Sequence, residues 1–93
     1  KQILRRMLNN LKAIYLRQAD FLRSLSVVER LLILEPNSAP EIRDRGILYL
    51  KLECFPQALQ DLEAYLRISS HADDAPEIRE QVVSLRKLVT QIH

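Results

Sequence analysis

The chain has 93 residues, of which 14 are Lys or Arg and 12 are Asp or Glu, for a formal net charge of +2. That length fits one small domain with a modest core, and 47% hydrophobic with 28% charged residues is a globular balance rather than a disordered one. One glycine and four prolines leave few turn residues for a sheet protein, so an all-α chain is expected. No apolar run reaches the roughly 20 residues that cross a bilayer, and no membrane role is expected.

The first helix is read from Leu4, Met7, Leu8, Leu11, Ile14 and Tyr15, which recur at steps of three and four and share one face. The stretch from Lys1 to Arg17 also carries Lys1, Arg5, Arg6, Lys12 and Arg17 with no acid. Phe21, Leu25, Val28, Leu31 and Leu32 mark a second helix, ended by the turn Glu35-Pro36-Asn37. A third runs from about Ala39 to Leu52 with Ile42, Gly46 and Tyr49 inward. The fourth opens near Phe55, holds Pro56 in its first turn and buries Ala58, Leu59, Leu62, Tyr65 and Leu66. After a polar loop from Ser69 to Asp73, a fifth turns Ile78, Val82, Leu85, Leu88, Val89 and Ile92 inward.

One phrase is written twice, Ser-Ala-Pro-Glu-Ile-Arg from Ser38 and Asp-Ala-Pro-Glu-Ile-Arg from Asp74. Each copy reads as a helix start. Ser38 or Asp74 is the N-cap, Pro40 or Pro76 sits in the first turn, and Glu41 or Glu77 reaches back to form a capping box.

A shift of thirty-four residues lays Tyr15 on Tyr49, Leu16 on Leu50, Phe21 on Phe55, Leu25 on Leu59, Leu32 on Leu66 and Leu34 on Ile68. That period and the placement of Gly46, Tyr49, Phe55, Ala58 and Leu66 resemble the tetratricopeptide repeat. In the first repeat Lys12 stands where the family has a glycine and Ser24 where it has alanine. The expected fold is a single all-α domain over 1–93: a right-handed array of two helical hairpins, 5–38 and 39–72, closed by a cap helix over 74–92.

The strings LNNLKAIYL and RDRGILY narrow the likeness: the chain resembles the C-terminal region of bacterial transglutaminase-like proteins of the SirB type. That resemblance implies a longer polypeptide whose catalytic-type Cys, His and Asp lie in a preceding domain. The opening Lys-Gln-Ile-Leu, already inside a helical pattern, also reads as part of something longer.

Catalysis by this chain alone is not expected. Cys54 and the two histidines, His71 and His93, are far apart in sequence, and Cys54 reads as an inert thiol. A lone cysteine excludes an internal disulfide, no Cys/His set has zinc spacing, and a reducing cytoplasm is the expected compartment. The sole glycine, Gly46, excludes a glycine-rich phosphate loop, and no cofactor is expected.

Binding is the expected role, because the first helix of each stacked pair lines a concave face. The repeat register places Arg6, Asn9, Ala13 and Arg17 there, then Arg43, Ile47, Leu50 and Lys51, then Arg79, Val83, Arg86 and Lys87. A lining so rich in cations favours an acidic protein or peptide, or an acidic surface of a companion domain in the same polypeptide. The bland alternative is that these charges are solvated or paired, and Arg45 is expected to pair with an acid such as Asp61. The tetratricopeptide groove that clamps chaperone carboxylate tails does not carry over, since Asn9, Ala13 and Ile47 replace its lysine and asparagines. Nucleic-acid binding through the basic first helix is disfavoured by the modest charge and the lack of exposed aromatics. The apolar edge at Ile3 and Leu4 makes self-association a further expectation.

Overall fold

The computed structural model describes residues 2–92. Five helices follow in order: α1 (Gln2–Arg17), α2 (Phe21–Leu34), α3 (Ala39–Lys51), α4 (Phe55–Ile68) and α5 (Ala75–Ile92). Each packs on the next, α1 on α2, α2 on α3, α3 on α4 and α4 on α5, which gives an elongated array of 42 × 27 × 20 Å. This is the expected arrangement of two hairpins and a terminal helix.

The two hairpins turn in the same way. In the first, the N–H groups of Gln18, Ala19 and Asp20 donate to the carbonyls of Ile14, Leu16 and Tyr15. Thirty-four residues on, Leu52, Glu53 and Cys54 donate to Leu48, Leu50 and Tyr49. Both turns need a left-handed residue, and the chain supplies Ala19 (φ 56°) and Glu53 (φ 60°) where glycine would be unstrained.

The main core joins Val28 and Leu32 of α2 to Ile42 and Leu48 of α3, to Ala58, Leu62 and Tyr65 of α4, and to Ile78, Val82 and Leu85 of α5. Each Val or Leu buried there contributes about 1.5–3 kcal/mol of transfer free energy. Gly46 allows α3 and α4 to meet closely, for a Cβ at that position would stand 2.9 Å from the Leu62 side chain. Leu8, Val27 and Leu31 form a separate small cluster between α1 and α2. Asp20 caps α2, its carboxylate accepting from the Arg23 N–H.

The apolar row of α1 shares one face as expected, and three other expectations are corrected. On α1 only Leu8 is buried; Leu4, Met7, Leu11 and Ile14 are exposed, because the apolar face of α1 is wider than its contact with α2. Leu88 is exposed, on the open side of α5 that faces Leu50 of α3. Ser38 stands at the N-cap of α3 but its side chain makes no cap bond, and Glu41 turns to Lys12 instead of closing a capping box. The Asp74 carboxylate accepts from Tyr65 and Arg43, so it serves tertiary structure. Ile92, expected inward, lies outside the residues whose side chains are described.

Candidate functional site

Two clefts separate the first-position helices α1, α3 and α5. Between α1 and α3 lies an apolar slot of about 170 Å³, lined by Leu16, Phe21, Ile47 and Leu48 with Lys12, Asp44 and Lys51 at its edges. The packing explains it. Phe21 and Ile47 are only partly covered by the core, and Leu16, in the last turn of α1, is exposed. Lys51, at the last position of α3, is exposed and makes no ion pair among the described residues.

The second cleft, between α3 and α5, is wider at about 500 Å³ and is lined by Leu50, Glu77, Glu80, Gln81, Ser84, Leu85 and Leu88. Burial of Ile78, Val82 and Leu85 fixes the rotation of α5. That rotation turns the preceding neighbours Glu77, Gln81 and Ser84 toward Leu50, so this end of the surface carries carboxylates.

A network of charges links the helices. The Lys12 ammonium donates to Glu41 at 2.8 Å and to Asp44 at 2.5 Å, bridging α1 to α3. Arg43 donates to Asp44 and, at 3.1 Å, to Asp74, and its guanidinium lies 5.8 Å from the centre of the Tyr65 ring. Burial pulls the Lys12 pKa down, but its bonds to Asp44 and Glu41 outweigh this and raise it above an ordinary lysine's. For Arg43, too, desolvation is outweighed by Asp44 and Asp74, and its pKa is raised. The Tyr65 hydrogen bond, with a smaller contribution from Arg43, outweighs desolvation and lowers the Asp74 pKa. Among the described residues no buried side-chain nitrogen or oxygen lacks a partner.

The cations predicted to line one basic groove are therefore dispersed. Ile47 and Lys51 come together at the slot, and Leu50 borders the acidic cleft. Arg43 is held by two carboxylates. Arg86 turns to Glu63 on α4 at 2.6 Å, and Arg79 donates to the Ser70 carbonyl. Arg6, Asn9, Ala13 and Arg17 are exposed on α1, and Val83 and Lys87 are exposed on α5. The surface is of mixed sign, because the adjacent Asp44 and, from other segments, Asp74 and Glu63 fold onto the predicted cations Arg43 and Arg86. Lys12, Leu16, Phe21 and Leu48 were not among the predicted site residues. The available signal was Lys12 itself, a cation in an acid-free helix whose partner had to come from another one.

Among the described residues no group of three or more His, Cys, Asp or Glu side chains could hold a metal ion. No helix among them is long and apolar enough to cross a membrane.

Residues 11–83 match a family model described as tetratricopeptide repeat. A UPF0162 protein of Buchnera aphidicola is 33% identical over 91 residues, covering 98% of this chain and 34% of the relative. Another from Xylella fastidiosa is 33% identical over 93 residues, 100% of this chain and 33% of the relative. Protein SirB1 of Salmonella typhimurium is 30% identical over 92 residues, 99% of this chain and 34% of the relative. The chain thus spans about a third of the length of these curated relatives.

Proposed function

As the chain belongs to the tetratricopeptide repeat family, we propose that it is a non-catalytic interaction domain that receives a protein segment on the side formed by α1, α3 and α5. One observation carries this reading: the slot between α1 and α3 is apolar inside and has Lys51 at its rim. An apolar side chain from the partner fills the space between Leu16, Phe21, Ile47 and Leu48, and a neighbouring carboxylate meets the Lys51 ammonium. Removing such apolar surface from water gives affinity, and the charge at the rim fixes register and selects the partner. The acidic partner expected from sequence is retained for this end of the surface alone, since Glu77 and Glu80 face the other cleft.

A second reading, an accessory role beside a transglutaminase-like domain of the same polypeptide, is favoured by the length of the relatives, which are about three times as long. In that case the slot receives a loop of the companion domain.

The test is site-specific photo-crosslinking with benzoylphenylalanine in place of Ile47, compared with the same residue in place of the outward-facing Ile33. Discrete adducts from position 47 that disappear with Lys51→Glu support the proposal. Adducts of equal pattern from both positions overturn it.

A further inference from the structure

The outer face of α1 is an exposed apolar row, set apart from the slot. Ile3, Met7, Leu11 and Ile14 run along one side of the helix, with Ile3 72% and Met7 57% exposed. The internal repeat shows what covers such a face. The thirty-four-residue shift carries Met7 to Glu41, Leu11 to Arg45 and Ile14 to Leu48. In α3 these positions face other helices: Glu41 bonds Lys12 of α1, Arg45 lies beside Glu29 and Leu32 of α2, and Leu48 is 3% exposed where Ile14 is 41%. The side of α3 that α1 and α2 cover is thus the side of α1 that nothing in the described structure covers.

Chemistry separates the two faces. On α3 the covered positions Glu41 and Arg45 are charged, whereas α1 offers methionine, leucine and isoleucine in an unbroken row. Beside that row, three residues after Ile3, Met7 and Ile14, stand Arg6, Asn10 and Arg17, all exposed. Neither arginine makes an ion pair among the described residues, while Arg5 and Lys12 are held by Glu35 and by Glu41 with Asp44. The helix has no acid of its own from Gln2 to Arg17. A second copy docked through this face would set Arg6 and Arg17 against their own kind, and that repulsion counts against self-association.

We propose that this face binds an amphipathic helix of a protein partner, packed on α1 as α2 packs on α3, with an apolar row against Ile3, Met7, Leu11 and Ile14 and carboxylates opposite Arg6 and Arg17. The ridge-and-groove packing of two helices suits a straight row of aliphatic side chains, and the arginine flank sets the sign of the partner.

The test uses the isotope-labelled 93-residue chain and two synthetic helical peptides of about 18 residues, long enough to hold a helix. They share one leucine row and differ only in glutamate or lysine flanks. The glutamate peptide is expected to shift the amides of residues 3–17 and to bind at least about tenfold more tightly than the lysine peptide, a difference of about 1.4 kcal/mol. Met7→Asp or Ile3→Asp, at exposed positions, should each remove that binding and leave the spectrum of α3 to α5 unchanged. Equal affinity for both peptides, no binding, or shifts centred on Ile47 and Lys51 would overturn the proposal. So would tighter association with phosphatidylglycerol vesicles, or sedimentation as a dimer that Met7→Asp dissolves.

Discussion

The Tyr65 hydroxyl donates to the Asp74 carboxylate at 2.5 Å, tying α4 to the residue before α5. Arg43 of α3 donates to the same carboxylate, so one acid anchors three helices at the edge of the binding side.

This arrangement sets a pH dependence at both ends. The bond from Tyr65, aided by Arg43, lowers the Asp74 pKa below its unfolded value, so its contribution is present above that value and is lost as pH falls through the folded one. The same bond raises the Tyr65 pKa; that contribution is complete below the unfolded value near 10 and is lost as pH rises through the folded one. Asp74→Asn should move part of the phenolate absorbance titration to lower pH and flatten the acid limb of stability against pH. An unchanged phenolate curve would show that the bond does not hold Tyr65 in solution.

Gly46→Ala should destabilise the chain despite the better helix propensity of alanine. The new methyl would lie 2.9 Å from Leu62, which is fully buried and has no room to yield. Overpacking of this kind costs about 1–3 kcal/mol, against roughly 1 kcal/mol gained from propensity. Urea denaturation is expected to show a net loss of up to about 2 kcal/mol.

Glu53→Gly and Ala19→Gly should act in the opposite direction. Both residues hold a left-handed conformation that costs an L-residue roughly 1–2 kcal/mol, partly offset by the greater unfolded-state freedom of glycine. Each is expected to raise stability by about 0.5–1 kcal/mol, the pair nearly additively, since the turns belong to different hairpins. Thermal unfolding of both single variants and the double variant checks this.

The fold is legible because its signals are local and repeated: apolar residues at steps of three and four, prolines in first turns, and one shift that aligns both hairpins. The Arg45–Asp61 pair, expected from a charge at an inward position, forms with contacts of 2.7 and 2.9 Å. The site is less legible, because it depends on pairs between different helices, such as Lys12 with Glu41 and Arg43 with Asp74, that no local pattern announces. Arg43 reads from sequence either as a groove cation or as a paired charge, and Asp44 and Asp74 pair it; Ser38 reads as a capping residue although its side chain forms no cap bond. The apolar row of α1 was read correctly as one face, but periodicity does not tell whether a face is covered.

The most direct measurement of the central claim is selection of a random peptide library on the 93-residue chain, followed by affinities of the selected peptides for Ile47→Asp and Lys51→Glu variants. The account predicts peptides that pair an apolar residue with a neighbouring acid, amide shifts at Leu16, Ile47 and Lys51, and a loss of about tenfold or more in each variant. Peptides without an acid that bind both variants as tightly as the parent chain would contradict it.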